Sequence, residues 1–316
     1  MQTKNKIITT VLLTAGAITG TAMINKYIKF LATKKDLLAE PKSCCFRWRL
    51  GNIFYTKSGS GKPLLLIHDL NHMANSNEWK SVIPELSKHY TVYAIDLLGC
   101  GRSEKPNLTY TNFLYVQLIH DFVKSEIGRR TNVIASGSSS SIVTMACNYN
   151  TNLFDRIMMI NPESFSAASQ IPGKYAKLYK LILDTPIIGT LLYNIASSRK
   201  NIKEYITYSC YSNPYDVKPE LIDQYYEAAH LGASPKSIYS SDECNYTKCR
   251  ITSALEKINN SIYIVGGEDE PNINDIIKDY VFYNPAIESS IIERAKHLPH
   301  LEHPEEVVQL ASMFFN

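Results

Sequence analysis

The chain has 316 residues, 45% of them hydrophobic and 20% charged, with a formal net charge of +3. That is apolar material for a sizeable core and a length that suits one catalytic unit with an insertion, while the small charge and the lack of a basic, aromatic-rich patch exclude a nucleic-acid partner. Seven cysteines, an odd number without paired CxxC spacing, argue against a disulfide framework or a zinc site and for free thiols.

In chain order, Ile7 to Ile24 carries no charge and as a helix spans about 27 Å, close to a hydrocarbon core of about 30 Å. A single N-terminal membrane anchor is expected there, within residues 1–40. Threonines dilute its hydrophobicity, and Gly20-Thr21-Ala22 leaves a cleaved signal as the alternative. Lys26, Lys29, Lys34 and Lys35 after the segment outnumber Lys4 and Lys6 before it, which favours a catalytic domain on the cytoplasmic face. Arg47 to Arg49 and Ile53 to Tyr55 predict a hairpin turning at Leu50-Gly51-Asn52, and Leu64 to His68 and Thr91 to Asp96 read as buried strands.

Asn132-Val133-Ile134-Ala135, then Ser136-Gly137-Ser138-Ser139-Ser140-Ser141, then Ile142 to Ala146 make a strand, a tight turn of small residues and a helix. Such an elbow forces one side chain out at the carboxyl edge of a sheet. Ser138, between Ser136 and Ser140, is the expected nucleophile, and Ser139 is the alternative register. Arg156 to Ile160 is a further strand, followed by Glu163. Residues 165–250 lack buried-strand runs, and helical patterns such as Lys177 to Leu183 and Pro219 to His230 predict a helical cap between core segments 41–164 and 251–316. The apolar run Ile187 to Tyr193, with Lys174, Lys177, Lys180 and Lys200 around it, fits core packing with solvated lysines; a bilayer-facing cap is the sharper reading. Ser261 to Val265 is a strand ending at Gly266-Gly267-Glu268-Asp269-Glu270, and His297 precedes the last helix. His300 and His303 share three-residue spacing with His297, but Pro299 and Pro304 break the helix that would align them on a metal. No metal and no cofactor is expected.

From about Arg47 to the C-terminus, these blocks in the order serine, acid, histidine resemble the α/β-hydrolase superfamily, in particular its capped serine hydrolases. The resemblance implies an α/β-hydrolase fold, a mostly parallel sheet with helices on both faces. It implies a triad of Ser138 as nucleophile, His297 as general base and an acid that orients the imidazole. The family's Gly-x-x-acid pattern counted from Gly267 puts that acid on Glu270; counting from Gly266 gives Asp269, and Glu163 is a third candidate. Relatives with an aspartate nucleophile are disfavoured because Ser138 holds that slot. The oxyanion hole would use the amides of Leu70 and Ser139.

Here the chain departs from the family, with His68-Asp69 in place of His-Gly. A carboxylate about 4 Å from a developing oxyanion opposes it by up to about 4 kcal/mol at an effective dielectric near 20. Either Asp69 points away or acyl transfer is weakened. The expected function is hydrolysis of a small or lipophilic ester, thioester or amide through an acyl-serine, and the alternative is a non-catalytic binding or signalling protein on the same fold.

Overall fold

The computed structural model describes residues 2–316, with side chains described for all of these except residues 2–11 and 13. Eight strands form one sheet in the order β1-β2-β4-β3-β5-β6-β7-β8. They are β1 (Ser43–Trp48), β2 (Gly51–Ser58), β3 (Lys62–Ile67), β4 (Tyr90–Ile95), β5 (Thr131–Ser136), β6 (Phe154–Ile160), β7 (Ser261–Gly267) and β8 (Glu288–Ile292). From β4 to β8 every pairing is parallel, while β1 and β2 add an antiparallel edge. The expected α/β-hydrolase fold is therefore present. Trp48 pairs with Gly51, so the first hairpin turns at Arg49-Leu50, starting one residue earlier than its composition suggested, with Gly51 and Asn52 already in β2. β8, whose sequence is mostly polar and exposed, was not anticipated.

Why the central strands read as unbroken apolar runs is plain from the two cores. Leu65, Ile67, Val133, Ala135, Ile157 and Met159 face one core, while Leu64, Leu66, Ile134, Met158 and Ile160 face the other. Alternate side chains thus enter opposite faces, both covered by helices, as parallel sheets require. Helices Asn112–Phe122, Ser139–Tyr149 and Ile273–Tyr283 supply the first cover, and Pro304–Phe315 supplies much of the second.

Between β6 and β7 the regular structure is entirely helical. This segment packs on the core through Ile202, Ile206, Cys210 and Tyr225, which cluster with Met73 and with Leu298 beside the histidine loop. The N-terminal helix Gln2–Thr33 rests on the same segment: Asn25 Nδ2 donates to the Ile187 carbonyl at 3.1 Å, and the Glu227 carboxylate accepts the Leu37 and Leu38 amides. Among the described residues no helix is long and apolar enough to cross a membrane. The side chains of residues 7–11 and 13 of the expected anchor lie outside the described residues.

One buried ion pair anchors the loops at the carboxyl edge. Asp96, fully buried, accepts the Ser76 amide at 2.6 Å and both the amide and Nε of Arg102, at 2.8 and 3.0 Å. Arg102 continues to the Leu38 carbonyl, Ser76 Oγ and Asn77 Oδ1. Removing one partner leaves the other charge uncompensated, so Asp96→Ala is expected to lower the unfolding free energy by about 3 kcal/mol or more. Urea denaturation measures this, and an unchanged midpoint would mean that Arg102 finds full compensation elsewhere.

Candidate active site

The carboxyl ends of β3, β5, β6 and β7 converge on one point, and backbone geometry decides what stands there. β5 ends at Ser136 and the next helix begins at Ser139. Gly137, between them, has φ +55°, whereas Ser138 is already right-handed helical at φ −66°. The tip of the elbow is therefore Gly137, one residue before the expected Ser138, and the serine cluster hid this because it offers small residues in every register. A side chain at the tip has no room: a Cβ on Gly137 would lie 2.2 Å from Asp69 Oδ1.

Asp69 does not point away. Its Oδ1 accepts the Ser138 amide and the Ser138 hydroxyl, both at 2.9 Å, and its Oδ2 accepts Asn71 Nδ2 at 3.0 Å. The carboxylate thus occupies the space of the missing elbow side chain. Its backbone is fixed from behind: the Asp69 amide donates to buried Glu78, and its carbonyl meets His68 Nδ1 at 2.7 Å. Because His68 Nε2 accepts the Leu97 amide at 3.0 Å, the His68 proton sits on Nδ1 and is donated to that carbonyl.

The remaining expected residues divide. His297 Nδ1 lies 3.2 Å from Glu270 Oε1, so Glu270 is the acid brought to the histidine. Asp269 instead accepts the Ser212 hydroxyl, and Glu163 pairs with Lys248 at 2.8 Å and accepts Ser141 Oγ. Ser139 is buried with its hydroxyl donated to the His68 carbonyl at 2.6 Å, which removes it as a nucleophile. With Gly137 at the tip, the amide that follows it is that of Ser138, not Ser139, and Leu70 presents its carbonyl oxygen to Ser138 Oγ at 3.5 Å. The three histidines go separate ways: His300 stacks on Trp79 with ring centroids 4.2 Å apart, and His303 Nε2 meets the Arg294 carbonyl.

Asn161 ties the site together and carried no legible signal beyond following β6. Its Oδ1 accepts the Gly267 amide, while its Nδ2 donates to the carbonyls of Lys296 and His297. Gly267 is needed at this junction, since a Cβ there would sit 2.2 Å from the Lys296 carbonyl oxygen.

Electrostatically the centre is a carboxylate, an imidazole and a second carboxylate in series. His297 Nε2 is 3.7 Å from Asp69 Oδ2, an ion-pair distance too long for a hydrogen bond, and among the described residues it has no hydrogen-bond partner. Burial disfavours charge on His297, but Asp69 and then Glu270 outweigh it and lift the pKa to about 10. Burial likewise opposes ionisation of Asp69, and His297 and the Ser138 donors hold its carboxyl well below the usual range. At neutral pH the resting site is Asp69 carboxylate against His297 imidazolium. A raised pKa in the folded state makes this stabilisation full below about pH 6.5 and lost as pH rises through about 10. Asp69→Asn is expected to lower the His297 pKa by about a unit or more. NMR titration of the imidazole tests this, and an unmoved pKa would assign the shift to Glu270 alone.

The alpha/beta hydrolase family model matches residues 64–310. Over 72 residues the chain is 42% identical to a 2-hydroxy-6-oxo-6-(2'-aminophenyl)hexa-2,4-dienoic acid hydrolase of Metapseudomonas resinovorans, covering 22% of this chain and only 25% of that protein. A soluble epoxide hydrolase of Corynebacterium sp. (strain C12) is 24% identical over 83% of this chain and 92% of its own length. Among solved structures, a carboxylesterase, CesB (YbfK) from Bacillus subtilis, superposes with a TM-score of 0.70 at 18% identity, covering 94% of this chain and 98% of its own, a likeness of fold. Because that family model spans more than half of the chain and the eight-stranded, mostly parallel sheet agrees with it, the chain belongs to the alpha/beta hydrolase family.

Proposed function

We propose that this protein is a hydrolase in which Asp69, standing in for the side chain absent at Gly137, is the nucleophile. The observation that carries this is the Asp69 carboxylate at the elbow tip, facing a His297–Glu270 pair. A carboxylate attacks an electrophilic sp3 carbon more usefully than an acyl carbon, so the substrate class is an epoxide or a related small, lipophilic electrophile. Similarity to a soluble epoxide hydrolase along most of both chains supports that class.

Asp69 Oδ2 would bond to the carbon as its carbon–oxygen bond breaks. The departing oxygen takes a proton from a phenol such as Tyr205, kept neutral by burial, with Cys210 and Asp69 adding to the effect. Esterification removes the Asp69 charge, which is what holds His297 protonated. The imidazole pKa then falls, the imidazolium proton passes to the phenolate left by the first step, and neutral His297, oriented by Glu270, becomes a base for water attacking the Asp69 carbonyl carbon. The Ser138 amide supports the resulting oxyanion, and collapse releases the alcohol and restores the carboxylate.

A second reading keeps the acyl-serine route to an ester, thioester or amide, because Ser138 Oγ lies at the same centre. In it the Ser138 proton is first released from Asp69, to which it is donated in the resting site. The two routes predict opposite effects of Asp69→Gly: loss of activity by about a hundredfold or more for the carboxylate, preserved or raised esterase activity for the serine. In a His297→Gln variant incubated with an aryl epoxide, an adduct on the Asp69 peptide is expected by mass spectrometry. Fluorophosphonate labelling of Ser138 in the unaltered protein, lost in His297→Ala, would overturn the carboxylate route. No adduct at either residue in folded protein would leave a non-catalytic binding protein. The helical segment between β6 and β7 is proposed as the cap over this site.

A further inference from the structure

Three helices of this protein pack inside out. In the N-terminal helix Gln2–Thr33, the face at Thr21, Ala22, Asn25, Ile28 and Ala32, at intervals of about one turn, turns towards the protein, and Met23, Ile24, Tyr27, Phe30 and Leu31 are exposed. Helix Ile188–Ala196 buries Gly189, Tyr193 and Asn194 and exposes Ile188, Leu192 and Ile195. Helix Ala176–Asp184 buries Lys180, paired with Asp184 at 2.6 Å, together with Ala176 and Leu183, and exposes Leu178, Leu181 and Ile182.

The three are neighbours. The first helix and the second are joined by polar contacts, Asn194 Nδ2 to Asn25 Oδ1 at 2.9 Å and Asn25 Nδ2 to the Ile187 carbonyl. Gly189 lets the second approach the third, since a Cβ there would lie 2.0 Å from the Leu183 carbonyl oxygen. Small and polar side chains between helices with bulky apolar ones outside is the packing expected where the outer medium is lipid. In water, an apolar face of this extent is a liability.

The charges around the face agree. The helix Gln2–Thr33 has no acidic residue, and from Ser164 to Lys203 the one acid is Asp184, paired with Lys180; Arg199 pairs with Asp223 and Lys200 lies 3.8 Å from Glu204, and the remaining cations of the stretch are Lys174, Lys177 and Lys203. Lys26, Lys174 and Lys177 are exposed beside the apolar side chains, placed for anionic headgroups.

We propose that this three-helix face docks on the surface of an anionic bilayer, with the helices lying in the interface plane. The proposal is independent of which residue is the nucleophile. It makes the membrane contact one of helices lying along the surface, the N-terminal helix together with the helical segment, in place of the crossing expected from residues 7–24.

Tryptophan fluorescence of the full chain tests it, because the two native tryptophans, Trp48 and Trp79, are both buried. Leu181→Trp and Ile188→Trp alter positions 65% exposed, and Phe282→Trp, on the core helix Ile273–Tyr283, is the control. On adding vesicles of phosphatidylcholine and phosphatidylserine, emission from positions 181 and 188 is expected to shift to the blue and to be quenched by brominated phosphatidylcholine, with no such change at 282. Omitting phosphatidylserine or adding salt weakens the response. Quenching at 181 and 188 no greater than at 282 overturns the proposal, even if the protein floats with the vesicles through its N-terminal segment. So does a blue shift that follows protein concentration without lipid, which would give the face to a second copy of the chain.

Discussion

A carboxylate taken out of water must be paid for by donors and an opposite charge, and at Asp69 that compensation organises the site. The Ser138 amide and hydroxyl, Asn71 and the His297 imidazolium all converge on it. Each feature around it follows from the charge. Gly137 lacks a side chain because the carboxylate stands where one would be, and His297 is protonated because two carboxylates flank it. The Ser138 hydroxyl is turned towards Asp69 rather than left free as a donor to the imidazole.

The fold delivers this arrangement through backbone convergence more than through side-chain packing. Parallel strands place β3, β5, β6 and β7 with their carboxyl ends at one edge, so residues far apart in sequence meet as loops. Asn161, at the end of β6, holds both the β7 tip and the histidine loop, and Gly267 admits the Lys296 carbonyl. Asp96 and Arg102 do the same work for the loop that carries Ser76 and Asn77. Such junctions fix the loops that carry the site to one another through backbone groups.

Away from the site, the helical segment obeys the opposite packing rule to the core. The sheet buries its branched aliphatic residues on both faces, while the three outer helices bury Asn25, Gly189, Asn194 and Lys180 along with Leu183 and Tyr193, and show most of their other large apolar side chains.

What the sequence determined by itself was whatever depends on local periodicity and short-range chemistry. The apolar runs at Leu64 to Ile67, Thr91 to Ile95, Asn132 to Ala135 and Ser261 to Val265 are buried parallel strands because burial on both faces leaves no polar alternation. The elbow, the histidine before the last helix and the helical nature of the stretch before β7 were legible for the same reason, and so was the departure at Asp69. Only the tertiary structure decided the rest. Four consecutive serines give the turn no unique register, and the left-handed backbone at Gly137 resolves it because only glycine leaves space for a carboxylate that arrives from another strand. The choice of Glu270 over Asp269 and Glu163 is likewise a matter of distance to His297, and the direction of the Asp69 side chain is set by donors 2 to 69 residues away. Such contacts are made between elements that meet only after the sheet has formed, so no spacing within the chain records them.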